Sequence, residues 1–116
     1  MDCIFCKIIA GEIPSKKVYE DDFMYAFHDI NPDAPVHVLV IPKEHIESMD
    51  KITPENSGVV AKIFEKIPHI AALAGADNGY RVISNCGPDA GQSVFHLHFH
   101  IIGGTMLPLH VFPEKE

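Results

Sequence analysis

The sequence predicts an α+β domain on a mainly antiparallel sheet, and three observations predict it. Five short runs have the alternation or β-branched density of strands, their turns are of hairpin length, and one longer segment repeats its apolar residues at the helical period. Asp2 followed by Ile4, Phe5, Ile8 and Ile9 reads as one or two helical turns, with Asp2 as N-cap and Gly11 as C-cap. After Ile13-Pro14, Val18 to Glu20 and Phe23 to His28 form a hairpin about the acidic turn Asp21-Asp22. Asn31 to Pro35 is a turn, and His37 to Ile41, stopped by Pro42, is a buried central strand. Thr53 as N-cap and Pro54 at the first helical position open the long helix. Its Val59, Val60, Ile63, Phe64, Ile67, Ile70, Ala71 and Ala74 hold the 3.6 period to Gly75, and Pro68 is expected to kink it. A strand at Tyr80 to Ser84, a glycine-rich loop from Asn85 to Gln92 and a last strand from about Val94 to Ile102 complete the order. The helix is expected to cover one sheet face.

The 116 residues make one domain, 1–116, with a modest core. Nine Lys+Arg stand against sixteen Asp+Glu, with Arg81 the single arginine, so the basic stripe of a nucleic-acid binder is missing. A polymeric nucleic-acid partner is excluded on that ground. Protonating all eight histidines would move the formal charge from −7 to +1, so behaviour near neutral pH should be sensitive. No stretch approaches the roughly 20 apolar residues of a membrane helix, so no membrane partner is expected. The opening residues carry Asp2 and Lys7 without a continuous apolar stretch of signal-peptide length. Reduced thiols and a cytoplasmic location, with nuclear presence allowed, are therefore expected.

Phe95-His96-Leu97-His98-Phe99-His100-Ile101 alternates at period 2. In a strand this puts Phe95, Leu97, Phe99 and Ile101 on the core face and three histidines on the other. His96 and His100 would then lie on the order of 13 Å apart, too far for all three to share one metal, although neighbouring pairs could. A polar sheet face that happens to use histidine is the bland reading of one such residue; three in register beside a glycine loop favour chemistry. Imidazole is both nucleophile and proton carrier near neutral pH, so one ring can attack while its neighbours position and protonate. Attack on phosphorus also needs donors for phosphate oxygens. Asn85-Cys86-Gly87-Pro88-Asp89-Ala90-Gly91-Gln92-Ser93 enters the strand with backbone, amide and hydroxyl donors, although Gly-Pro-Asp-Ala-Gly is also an ordinary turn.

Gly91-Gln92-Ser93-Val94-Phe95-His96-Leu97-His98-Phe99-His100-Ile101-Ile102 resembles the His-x-His-x-His signature of the histidine triad superfamily. The likeness extends through Ile4 to Ile9, Glu20 to Asp22, Ala26 to Ile30 and Ala34 to Ile46, and is to the Hint branch. That branch comprises small homodimeric hydrolases of purine nucleoside phosphoramidates and related adenylates. The resemblance implies a HIT-like fold: a five-stranded, mainly antiparallel sheet, one long helix, a short N-terminal helix, and a sheet extended across a homodimer. It implies that His98 attacks the α-phosphorus, forming a nucleotidyl-histidine from which water releases the nucleoside monophosphate. His100 and Ser93 would bind the phosphate and assist the leaving group, and His37 and His96 would complete the imidazole network. Asn85 and the backbone of Gly91, Gln92, Ser93 and Val94 would hold phosphate oxygens. Asp29 would accept from the ribose hydroxyls, and Ile4, Phe5, Ile8, Phe27 and Ile30 would sandwich the base; plain core is the other reading of those apolar residues. From Thr105 to Glu116 the chain departs from the Hint tail. A dinucleoside polyphosphate hydrolase, or a nucleotide-binding module with incidental turnover, are the alternatives.

Cys3-Ile4-Phe5-Cys6 has the Cys-x-x-Cys spacing of half a tetrahedral zinc site, with a redox pair or two buried thiols as other readings. In zinc-containing members of the superfamily the positions matching His45 and His96 supply the missing ligands. The resemblance thus implies a structural zinc on Cys3, Cys6, His45 and His96, and no organic cofactor. Cys86 has no partner at metal-ligand spacing. A half-sandwich with one covering helix leaves apolar surface to bury, so a homodimer is expected, with Val59, Ile63 and the Tyr80 to Ser84 strand contributing.

Overall fold

The computed structural model describes residues Cys3 to Leu109. The expected N-cap Asp2 and the tail beyond Leu109 lie outside the described residues. Helix α1 (Ile4–Ile9) is followed by strands β1 (Lys17–Glu20), β2 (Met24–His28) and β3 (Val36–Pro42), the long helix α2 (Ser57–Ala74), β4 (Tyr80–Ile83) and β5 (Phe99–Gly103). The five strands form one antiparallel sheet in the order β1-β2-β3-β5-β4, so β5 inserts between β3 and β4 and lies at the centre beside β3. This is the α+β class and strand count expected.

Strand β3, Val-His-Val-Leu-Val-Ile-Pro, is buried along its whole length because both of its faces are covered. Val36, Val38 and Val40 pack with Met24, Ala26, Leu97, Phe99 and Ile101 under Ile63, Ile67, Ile70 and Ala71 of α2. On the opposite face Leu39 and Ile41 join Tyr25, Phe27 and the α1 residues Phe5 and Ile8 in a second, smaller core. The two faces thus hold an insulating layer under the helix and a mixed layer that carries the histidines.

Several boundaries differ from the sequence expectation. Cys3 is the residue capping α1, its Sγ accepting from the Cys6 N–H at 3.4 Å, and Ala10 stands at the C-cap with Gly11 one residue on at φ +80°. Helix α2 starts at Ser57, not after Thr53. Asn56 Oδ1 accepts from the Thr53 N–H at 2.7 Å, and the Asn56 and Ser57 N–H groups both reach the Thr53 carbonyl, which closes a turn before the helix. A single 3₁₀ turn, Met49–Lys51, precedes it. The helix runs unbroken through Pro68 and stops at Gly75, whose φ of +94° no other residue adopts cheaply.

The largest difference concerns the last strand, which begins at Phe99 rather than Val94. Residues 94–98 are tied instead by individual bonds: the Leu97 N–H donates to the Ile46 carbonyl at 2.6 Å, and Gln92 Nε2 donates to the Val94 carbonyl at 3.1 Å. Phe95, expected in the core, is 62% exposed as a result, while Leu97, Phe99 and Ile101 keep the buried alternation. Among the described residues, no helix is long and apolar enough to cross a membrane.

Candidate active site and metal cluster

The face of the sheet opposite α2 collects the histidines in two groups. His98 is buried just before β5, and its Nδ1–H donates to the carbonyl of His96 at 2.7 Å. A carbonyl can only accept, so the ring hydrogen of neutral His98 sits on Nδ1 and its Nε2 carries a free lone pair. Burial pushes the pKa of this ring below the ordinary imidazole value, against the opposing influence of the bond to His96 and the charge of Asp29. Phe5 packs edge-on against it, ring centroids 5.1 Å apart.

His37 and His100 are brought side by side by the register of β3 on β5, which pairs His37 with Ile102 and Leu39 with His100. The Asp33 N–H donates to His37 Nδ1 at 3.0 Å, so neutral His37 carries its hydrogen on Nε2. That Nε2–H donates to His100 Nδ1 at 2.8 Å and lies 3.4 Å from Asp29 Oδ2. His100 accepts at Nδ1, so its own hydrogen must be on Nε2, which is buried and without a partner among the described residues. The rings of His98 and His100 are 5.1 Å apart between centroids. The site therefore presents one imidazole lone pair, on His98, beside one unspent imidazole donor, on His100. Burial, with smaller contributions from the facing His98 and His37, lowers the His100 pKa to about 4.

The second group joins Cys3, Cys6, His45 and His96, whose ligand atoms all lie within 4.8 Å of one another and could hold one metal ion. Cys3 Sγ is 3.4 Å and Cys6 Sγ 3.6 Å from His96 Nδ1; Cys6 Sγ is 3.3 Å and His96 Nδ1 3.2 Å from His45 Nδ1. His96 Nε2–H donates to the Pro42 carbonyl at 2.8 Å, which leaves Nδ1 unprotonated toward the thiols, the arrangement seen when histidine ligates metal. Asp29, His37 and His100 also converge within that distance, but the hydrogen bond at the far nitrogen of His37 is reversed. A donor already occupies its Nδ1, so Nε2 bears the hydrogen and has no lone pair for an ion. One cluster thus offers an imidazole lone pair beside two thiols, and the other a chain of imidazole hydrogen bonds. Burial and the neighbouring Cys3 thiol raise the Cys6 pKa to about 11.

The remaining site candidates are distributed unevenly. Phe5, Ile8 and Phe27 belong to the small core, whereas Ile4 and Ile30 are 48% and 90% exposed, so plain core accounts for the first three only. Asp29 Oδ1 accepts from the Asn31 N–H at 2.8 Å and its side chain is part-exposed. Asn85 is half-buried and Ser93 exposed. The N–H groups of Gly91 and Gln92 are spent inside the loop on the carbonyls of Pro88 and Gly87, whereas those of Ser93 and Val94 have no hydrogen-bond partner among the described residues. The Gln92 amide is saturated by the Gly87 N–H and the carbonyls of Glu47 and Val94. It clasps the loop to the segment carrying His45. His96 has both ring nitrogens committed, so it meets the His98 group through its carbonyl and not its ring. Sequence reading missed Asp33 and Ser84, whose contributions are a backbone N–H and a hydroxyl bond to the His98 carbonyl; neither has a motif.

Fold and site together define a class, an antiparallel α+β protein whose reactive groups are imidazoles on the face opposite its long helix. The HIT domain family matches residues 10–107, and the chain belongs to this family. Protein HitA of Neisseria gonorrhoeae is 49% identical over 102 residues, 88% of this chain and 95% of that one. A histidine triad protein from Clostridium difficile is 54% identical with a TM-score of 0.90, covering 95% of this chain and 96% of its own. A HIT family hydrolase from Legionella pneumophila is 39% identical with a TM-score of 0.88, covering 93% and 97% respectively.

The lowered pKa of His100 makes a signed prediction. Between an ordinary pKa of 6.5 and about 4, the unfolded chain binds a proton there that the folded chain refuses. Stability therefore rises with pH across that window: the contribution is full above pH 6.5 and is lost as acid approaches pH 4, by on the order of 2 kcal/mol once solvent screening of the half-buried ring is allowed for. Urea unfolding across this range should show a shallower acid slope in His100→Ala than in the wild type. Equal slopes would contradict the assignment.

Proposed function

We propose that the protein hydrolyses purine nucleoside 5′-phosphoramidates and related adenylates through a nucleotidyl-histidine on His98, as in the Hint branch. The observation that carries this reading is the bond from His98 Nδ1–H to the His96 carbonyl, which leaves a lone pair on His98 Nε2 in a ring 5.1 Å, between centroids, from that of His100 with its unpartnered Nε2–H. His98 Nε2 attacks the α-phosphorus and the P–N bond to the leaving amine breaks with its electron pair. The amine takes the His100 Nε2 proton, which a proton from solvent replaces so that the hydrogen-bonded His37–His100 pair stays neutral. Water then attacks the phosphorus and its proton passes to solvent. His98 leaves with its electron pair, and the nucleoside monophosphate is released. The Ser93 and Val94 N–H groups, the Ser93 hydroxyl and Asn85 hold the phosphate oxygens. The part-exposed Asp29 carboxylate takes the ribose hydroxyls. Exposed Ile4 and Ile30 hold the base against the layer of Phe5, Ile8 and Phe27. The hydrolase from Legionella pneumophila supports the reaction class.

His98→Ala should keep nucleotide binding and lower turnover by several powers of ten, since free water must replace a positioned nucleophile. Wild-type protein quenched during turnover should carry an acid-labile adduct of nucleoside-monophosphate mass on the peptide containing His98. Near-normal turnover of His98→Ala, or an adduct on His37, would sink the assignment.

The thiol–imidazole cluster fits zinc. A tetrahedral ion with ligand distances of about 2.3 Å to sulfur and about 2.05 Å to nitrogen implies S···N edges of about 3.6 Å and an N···N edge of about 3.3 Å. The measured edges of 3.3–3.6 Å and 3.2 Å match these. Zinc there would be structural, since four protein ligands leave no open position. Metal analysis of protein prepared without chelator or nickel resin should find one zinc per chain, and Cys6→Ser should lose it together with several degrees of melting temperature. A content far below one opposes the proposal.

A homodimer is supported by apolar side chains left exposed on edge strand β4, Tyr80 and Val82, and on α2, Phe64 and Leu73. Ile63, an expected contributor, is fully buried on the sheet-facing side of α2 in the chain's own core and is not available. Sedimentation at micromolar concentration should give twice the chain mass; a stable single-chain species would overturn this.

A further inference from the structure

Strand β4 ends at Ile83 opposite His100, and pairing between the two strands goes no further. His98 thus lies outside the ladder, although it is buried and carries the lone pair described above. Its ring bond to the His96 carbonyl spans two residues of one segment. Such a bond orients the ring on its local backbone but does not locate that backbone relative to the sheet. The residue after β4, half-buried Ser84, supplies what is missing: its Oγ–H donates to the His98 carbonyl at 3.0 Å. Among the described residues it is the only side chain hydrogen-bonded to that carbonyl. Serine orders a single side-chain torsion to make such a bond, so little entropy opposes it.

We propose that Ser84 is a positioning residue for His98, its hydroxyl extending the β4–β5 pairing by one bond and holding the nucleophile's peptide in register with His100. This rests on the nucleophile role given to His98 under the proposed function. Without the bond the His98 peptide keeps only the ties of its neighbours, the Leu97 N–H bond to Ile46 and the pairing of Phe99 with Val40, so its carbonyl gains torsional freedom and the ring drifts from its line to the phosphorus. Ground-state contacts to phosphate, ribose and base are made by other residues and stay. A displacement of this kind reduces the rate of attack while leaving binding alone.

The test uses Ser84→Ala and Ser84→Thr, assayed with adenosine 5′-phosphoramidate well below their unfolding temperatures. Ser84→Ala should lower kcat about tenfold with KM within about twofold of wild type, and Ser84→Thr, which keeps the hydroxyl, should restore kcat. A second readout needs no substrate: the His98 Nδ1–H resonance, identified by its absence in His98→Ala, should be sharp in wild type and Ser84→Thr and broadened in Ser84→Ala. Wild-type kcat in Ser84→Ala, failure of threonine to restore it, or an unchanged resonance would each overturn the proposal. If wild type itself does not turn the phosphoramidate over, the proposed substrate fails, and the resonance alone still decides whether Ser84 holds His98.

Discussion

The register of β3 on β5 is the constraint from which the site follows. Val38 opposite Ile101 and Val40 opposite Phe99 lock two rows of buried apolar side chains beneath α2, and the alternation of a strand then sends His37 and His100 to the other face. A slip by one residue would exchange those sets, forcing imidazoles under the helix and valines toward the site. The apolar layer thus specifies the distance between His37 and His100 although it touches neither a ligand nor a metal. Burying β3 on both faces makes that specification strong, because any slip exposes apolar area on one side while burying unpaired nitrogens on the other.

What each imidazole can do is decided by the group at its far nitrogen. Carbonyl acceptors from Pro42 and His96 leave lone pairs at His96 Nδ1, which faces two thiols, and at His98 Nε2. A backbone donor from Asp33 has the reverse effect on His37 and, through it, makes His100 a donor. Three backbone groups thereby decide, for four histidines of one side-chain chemistry, which ring nitrogen carries the hydrogen and which keeps its lone pair. His96 belongs to both systems: its ring faces the thiols and its carbonyl orients His98.

This sorting explains how much of the molecule was legible in its sequence. Strand β3, α2 and the alternation of Leu97, Phe99 and Ile101 could be read because periodic burial produced them, and the Cys-x-x-Cys spacing marked half the metal cluster. The start of β5 could not. Phe95 continues the alternating pattern perfectly, but residues 94–98 are held by bonds from Gln92 and Ile46, which come from loops whose meeting no local pattern encodes. The helix start was misplaced for a related reason: Thr53-Pro54 is a good opening, and the Asn56 side chain closes a competing turn over it. Tautomers lay wholly beyond reach, since Asp33 and Pro42 act through backbone atoms that every residue has.

Keeping the rings neutral is the electrostatic counterpart of this arrangement. The chain is acidic overall, at −7, and a carboxylate close to each histidine would hold it protonated and take away its lone pair. Here burial acts in the opposite direction on His96, His98 and His100, and Asp29, whose Oδ2 reaches His37 at 3.4 Å, is the one carboxylate in contact with the group among the described residues. Water exclusion by Phe5, Phe27 and Leu39 therefore does more than support the fold. It lowers the proton affinity of His98 and His100 together, and it transfers the cost to acid conditions, where the unfolded chain gains protons that the folded one resists.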